Sequence, residues 1–219
     1  AESAVIIDAL TGRVVYAKNE NEKRPMASTT KIMTTLLCLE SGDLDEQFTV
    51  DSEAIKVEGS SMGLCEGDIV TKRILCYGML LPSGNDAANA TAVKLAGDIS
   101  SFSEMMNNRA KEIGMENTHF ITPSGLHDDA HYSTAYDMAI LTREALKNPD
   151  FSAICSESEI TTEYGNPPYR RTLYNTNKLL SMYDGCKGMK TGFTDEAGRC
   201  LVSVCERGGV TLIAVTLNA

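Results

Sequence analysis

Three short stretches carry side chains that could do chemistry together: Ser28-Thr29-Thr30-Lys31, Ser83-Gly84-Asn85 and Lys190-Thr191-Gly192. In the first, a serine and a lysine three residues apart open a run whose apolar positions, Ile32, Met33, Leu36, Leu37 and Leu39, recur at helical spacing. Pro25 before the run and Ser41-Gly42 after it predict a helix beginning near Ser28. Ser28 and Lys31 would share one face of it, close enough for the amine to take the hydroxyl proton and release a nucleophile. Because apolar side chains occupy more than one face, the helix should be central and largely buried.

Ser28 could instead be a simple N-cap. Lys31 argues against that reading, since a cation in the first turn faces the positive end of the helix dipole, where Asp or Glu would be more stable. The placement suits a base. A lysine that accepts a proton near neutral pH needs its pKa lowered from about 10.4 by several units, each worth about 1.4 kcal/mol. Burial, a helix N-terminus and a second cation nearby all push that way, and no other serine in the chain has a lysine three residues on.

Ser83 and Asn85 sit in the turn Pro82–Asn85, between a helix predicted over Thr71–Leu81 and another over Ala87–Leu95. Two side chains two residues apart on such a turn could face one pocket. Taken alone, the turn is ordinary Pro-Ser-Gly-Asn chemistry, with Asn85 or Asp86 as the next N-cap. Lys190-Thr191-Gly192 ends a strand-like segment. It offers a charge, a hydroxyl donor and a glycine that a substrate backbone could approach closely, which would suit a peptide ending in a carboxylate.

The elements that must position these groups follow from periodicity. Residues 4–17 read as a hairpin turning at Leu10–Arg13, at a sheet edge. Asp43 to Glu66 is mixed and turn-rich, with a β-like piece at Phe48–Val50. Helices are predicted over Met105–Ile113 and Ala135–Leu146, and residues 150–185 read as polar and turn-rich, with Arg170-Arg171 on a solvated surface. Arg199–Cys205 and Val210–Leu217, joined at Arg207-Gly208-Gly209, form a second hairpin. With the Lys190 segment, both chain ends supply about five strands around a helical middle. The expectation is an α+β fold: an antiparallel sheet packed against the central helix and a mainly helical lobe. One catalytic unit would span 1–219, its sheet lobe at about 1–25 plus 185–219 and its helical lobe at about 43–150.

Composition narrows the function classes. The chain has 219 residues, 42% of them hydrophobic, enough for a substantial core, with no long uncharged apolar run that would span a membrane. A net charge of −10 without a basic stripe excludes a nucleic-acid backbone as partner, so cations at the site must act locally. The seven cysteines are scattered, odd in number and lack a C-x-x-C, which favours buried free thiols over disulfides or metal ligation. His127 and His131, four apart with two aspartates between, resemble a metal cluster. Pro123 and Gly125 make the segment a loop, however, and a structural loop leading into the next helix is the preferred reading. No cofactor or metal is expected.

The ordered set Ser28-x-x-Lys31, Ser83-x-Asn85, Lys190-Thr191-Gly192 is the signature of penicillin-recognising serine enzymes. Over essentially its whole length the sequence resembles the low-molecular-mass penicillin-binding proteins, the serine-type D-alanyl-D-alanine carboxypeptidases. Leu81-Pro82-Ser83-Gly84-Asn85-Asp86-Ala87-Ala88 and Gly188-Met189-Lys190-Thr191-Gly192 stand close to that family's motifs, and Thr122–His131 resembles its Pro-x-Gly-Leu segment. Gly84 matches these carboxypeptidases, where many β-lactamases carry Asp.

The resemblance implies that Ser28 attacks the bond between two terminal D-alanines of a peptidoglycan stem peptide, with Lys31 as base and Ser83, near Lys190, passing a proton to the leaving amine. It implies that Asn85 binds the substrate amide, that Lys190, Thr191 and Gly192 receive the terminal carboxylate, and that the backbone N–H groups of Ser28 and Phe193 hold the oxyanion. β-Lactam antibiotics would be covalent inhibitors, and the site of action would be extracytoplasmic. Rival readings are a β-lactamase, for which no Glu-x-x-Leu-Asn loop is found, and a non-hydrolytic penicillin-binding sensor. The chain stops just after a strand, where family members continue into a further helix. It is therefore expected to be truncated at its C-terminal end, with any membrane association residing in parts outside it.

Overall fold

The computed structural model describes all 219 residues. The chain opens with β1 (Ser3–Asp8) and β2 (Val14–Lys18) and closes with β7 (Cys186–Thr194), β8 (Gly198–Arg207) and β9 (Val210–Leu217). Together they form one five-stranded antiparallel sheet in the order β2-β1-β9-β8-β7. The alternation expected of a half-buried sheet is plain in β1, where Val5 and Ile7 are buried and their neighbours are not. Val202, Val204, Ile213 and Val215 continue the same buried layer.

Between the two ends lie β3 (Gln47–Thr49) and β4 (Ile69–Thr71), paired as a small ribbon, and the helices α1 (Lys31–Glu40), α2 (Lys72–Leu80), α3 (Asn85–Ala96), α4 (Ile99–Ile113), α5 (Ala135–Ala145) and α6 (Pro149–Ser156). The hairpin β5 (Glu159–Gly165) and β6 (Pro168–Tyr174) and the single turn α7 (Leu179–Met182) lead back to the sheet. Every residue of α1 except Glu40 is buried, as its apolar spacing requires of a helix enclosed on all sides. Helices α2, α3 and α5 pack around it, and α5 also lies against β1 and β9.

The start of α2 agrees with the sequence expectation, while α1 begins later than expected and α3 and α4 begin earlier. A 3-10 turn, Ala27–Thr30, precedes α1, so the α-helix proper begins at Lys31 and Ser28 lies in the tighter turn before it. Thr71, the predicted start, caps α2 by accepting from the Ile74 N–H. Asp98 caps α4 by accepting from the Ser101 N–H, so that helix begins at Ile99, ahead of the predicted Met105. Asn85 opens α3 and is not its cap, because Gly84 precedes it in the capping position.

The polar stretch 150–185 is more ordered than its composition suggests. It holds α6, opened by Asn148 accepting from the Phe151 N–H with Pro149 in the first turn, and the β5–β6 hairpin. In that hairpin only Tyr164, Gly165 and Leu173 are buried, so the apolar alternation that marks a strand is nearly absent.

Candidate active site

Ser28 sits in the 3-10 turn directly after Ala27, whose φ of +47° is left-handed. For a residue with a Cβ that conformation costs about 1–2 kcal/mol, and surrounding contacts must hold it. Two segments do so. On one side Gly192 of β7 packs against the turn, where an added Cβ would stand 3.0 Å from Ser28 N and 3.1 Å from Met26 O. The absent side chain of Gly192 therefore makes room for the protein's own turn, in addition to whatever substrate would pass. On the other side Gly125, at φ +84°, lies so near that a Cβ would fall 2.0 Å from Ala27 O.

The loop around Gly125 is fastened to the turn and to α1. Thr34 Oγ1 donates to Pro123 O at 2.6 Å, and Thr30 Oγ1 donates to Ala27 O at 2.8 Å. His131 lies 2.8 Å from Thr30 Oγ1 through Nε2, while its Nδ1 accepts from the Ile121 N–H at 2.9 Å. An Nδ1 that accepts from a backbone amide makes Nε2 the protonated nitrogen of a neutral ring. Burial pushes the His131 pKa down to about 4, against a weaker upward pull from Asp128. Both ring nitrogens of His131 thus serve the loop, and His127 faces Asp129 instead.

The Lys31 side chain is fully buried, and its Nζ reaches three oxygens: Ser28 Oγ at 2.9 Å, Asn85 Oδ1 at 2.7 Å and the Ser124 backbone carbonyl at 2.6 Å. Two of these, the carbonyls of Asn85 and Ser124, can only accept. A neutral amine has two hydrogens and one lone pair, so with both hydrogens committed the lone pair is left for the Ser28 hydroxyl. Burial holds the Lys31 pKa well below the usual lysine range, and the nearby Lys190 charge pushes it further down, opposed by the Asp86 carboxylate. Asn85 is held at its other end by Nδ2 donating to Glu58 O at 2.7 Å.

Lys190 is also fully buried, with Nζ donating to the Thr191 carbonyl at 2.9 Å, and burial brings its pKa down to about 7. Its amine stands behind the cavity wall. The residue that faces the cavity is Thr191, whose Oγ1 lies 2.7 Å from Thr176 Oγ1. Ser83, at φ +67° and buried, reaches the same cavity, yet neither lysine's hydrogen bonds extend to it.

The cavity has a volume of about 550 Å³, and Ser28, Ser60, Ser83, Thr191, Gly192 and Phe193 are among its lining residues. Asn177, Lys178 and Arg199 also line it, the last being the cross-strand partner of Phe193. β7 is the last strand of the sheet, so its outer edge borders this cavity without a strand beyond it. All eight residues singled out from the sequence therefore converge, five of them on the cavity surface and Lys31, Asn85 and Lys190 just beneath it.

The whole chain, residues 1–219, matches the D-alanyl-D-alanine carboxypeptidase family of peptidases. It belongs to that family. Among curated relatives, the D-alanyl-D-alanine carboxypeptidase DacF of Bacillus subtilis (strain 168) is 39% identical over 226 residues, covering 100% of this chain and 57% of the relative. The D-alanyl-D-alanine carboxypeptidase of Streptomyces sp. (strain K15) is 37% identical over 223 residues, covering 94% of this chain and 77% of the relative. The chain thus spans little more than half the length of the Bacillus relative. Among solved structures, the Streptomyces K15 DD-transpeptidase superposes with a TM-score of 0.94 at 36% identity, over 99% of this chain and 89% of that one. The fold and the family expectation agree with these likenesses.

Sequence reasoning missed several groups that shape the site. Ser124 contributes a main-chain carbonyl, which no side-chain motif announces. Asp86, read only as a cap, accepts from Ser61 Oγ at 2.6 Å and from the N–H groups of Met62, Gly63 and Leu64 at 3.0 Å each. It gathers the loop between β3 and β4 over the start of α3, next to Asn85.

Proposed function

We propose that this chain is the catalytic region of a serine-type D-alanyl-D-alanine carboxypeptidase that removes the terminal D-alanine of peptidoglycan pentapeptides through a Ser28 acyl-enzyme. The observation that carries the reading is the buried Lys31 amine, 2.9 Å from Ser28 Oγ, with its other two contacts taken by obligate acceptors. That arrangement makes the amine a base toward one hydroxyl alone.

In the proposed reaction Ser28 Oγ attacks the penultimate carbonyl carbon as its proton passes to Lys31 Nζ. The oxyanion lies between the N–H groups of Ser28, unpaired at the start of its turn, and Phe193, each such donor being worth about 3 kcal/mol. Ser83, a hydroxyl on the same cavity wall, delivers a proton to the departing D-alanine amine. Water then hydrolyses the ester. The substrate's terminal carboxylate meets the Thr191 hydroxyl, with Lys190 adding positive potential from behind and Arg199 and Lys178 at the cavity surface. Asn85 orients the substrate amide and fixes Lys31. The peptide lies along the free edge of β7 as an added strand. The two lobes act as one catalytic unit, and because the substrate lies outside the cell membrane, the site of action is extracytoplasmic.

Labelled penicillin should give a stable adduct on Ser28, and a diacyl tripeptide ending in D-Ala-D-Ala should release D-alanine. Ser28→Ala should abolish both. An adduct without D-alanine release would replace this reading with a penicillin sensor, and rapid turnover of penicillin would replace it with a β-lactamase.

A further inference from the structure

Cys186 and Cys205 are cross-strand partners in the β7–β8 register. The Glu206 N–H donates to Gly185 O at 2.9 Å, which places the two cysteines opposite one another at a non-hydrogen-bonded position of the ladder. Such pairs bring Cα atoms to about 4.5 Å with both side chains on one face. A disulfide closes over Cα separations of about 4.4–6.8 Å, a range that includes the spacing of such a pair; a β-bulge between Cys186 and Gly188 interrupts the ladder on the side toward Lys190.

Solvent access separates this pair from the other thiols. Cys38, Cys76, Cys155 and Cys200 are buried, and Cys65 is exposed in a loop. Cys186 and Cys205 are each half-buried and line a common hollow of about 370 Å³ with Leu179, Tyr183 and Leu212. Their thiols are weak donors held only by backbone carbonyls, Cys186 Sγ toward Gly188 O at 3.3 Å and Cys205 Sγ toward Asp184 O at 3.8 Å. Little is lost when the two side chains turn toward each other.

We propose that Cys186 and Cys205 form a redox pair that closes into a cross-strand disulfide when the protein meets a small-molecule disulfide. One cysteine thiolate attacks the reagent, forming a mixed disulfide and expelling one thiol. The second cysteine thiolate then attacks the protein-bound sulfur, expelling the other thiol and leaving the Cys186–Cys205 bond. The protein loses two protons and two electrons, and the reagent gains them as two thiols. The bond staples β7, an edge strand paired on one side only, to β8 four residues before Lys190. It closes a loop of about 20 residues and so restricts the unfolded chain.

The experiment is oxidation of the folded chain with oxidised glutathione, alkylation, and digestion without reduction. The expected product is the Cys186 peptide joined to the Cys205 peptide, with an unfolding midpoint about 5 °C or more above that of the reduced protein. Cys205→Ser should trap one glutathione on Cys186 and lose the rise in midpoint, and Cys186→Ser should lose it too. Cys186 joined to Cys155 or to another chain, or alkylation of both thiols after oxidation, would overturn the pairing. The bond without any rise in midpoint would overturn the staple.

Discussion

Lys31 Nζ lies 2.6 Å from the Ser124 carbonyl, an oxygen that can only accept, and this contact decides which way the amine's remaining valence points. Together with the Asn85 contact it turns the lone pair of the neutral amine to Ser28. Protonation would place a hydrogen there and remove the base. The rate of acylation by penicillin should therefore rise with pH through the Lys31 pKa and level off above it. Because the Asp86 carboxylate pulls that pKa upward, Asp86→Asn should move the acid limb to lower pH. Rapid-mixing acylation profiles of the two proteins check both statements.

Gly125 gives a steric prediction. A methyl group there would collide with Ala27 O, on a backbone whose φ already disfavours any side chain. Gly125→Ala should cost about 3 kcal/mol or more of stability in urea titrations. By displacing the turn that carries Ser28 it should also slow acylation about 100-fold in whatever fraction remains folded.

His131 should make the fold sensitive to acid. Its pKa of about 4 lies below its ordinary value of 6.5, so the unfolded chain takes up the proton first. Stability contributed by the neutral ring is complete above about pH 6.5 and declines by up to about 1.4 kcal/mol per unit as pH falls toward 4. The stability advantage of the natural chain over His131→Asn, measured in urea at pH 7, 5 and 4, should shrink in that order.

Lys190 acts in the opposite pH range. With a folded pKa of about 7 against 10.5, the unfolded chain binds more protons between these values, so the natural protein gains stability as pH rises through that window. Lys190→Met, which fills the site without a charge, should unfold at a higher temperature than the natural chain at pH 7. The gap should close by about 1.4 kcal/mol per unit toward pH 10, as calorimetry at several pH values would show.

The three motifs were legible because each tied a side-chain type to a kind of element: a helix start, a turn between helices, a strand. The sheet was legible for a similar reason, since Val202, Val204, Ile213 and Val215 alternate along two segments joined by Gly208-Gly209. Depth was not. Nothing in Lys190-Thr191-Gly192 tells that the lysine lies beneath the cavity floor and the threonine on it. Groups whose partners lie far along the chain were hidden as well. Asp86 binds a loop more than twenty residues earlier, and Thr176 meets Thr191 from a stretch read only as polar and turn-rich. The β5–β6 hairpin escaped because Thr161, Glu163, Arg170 and Thr172 face water and leave little apolar rhythm to detect.

The place of β9 between β1 and β8 bears on how such a protein is born. The β1–β2 hairpin is synthesised well before β7, β8 and β9, yet it has no sheet to join until β9 arrives to bridge it to the rest. β7, made after all the helices, brings Gly192 against the Ser28 turn, so the nucleophile is synthesised well before the strand that frames it. Pairings this distant along the polymer close slowly. A copy lacking β7, β8 and β9 would keep Ser28 and Lys31 but lose the wall of the cavity that Thr191, Gly192 and Phe193 supply.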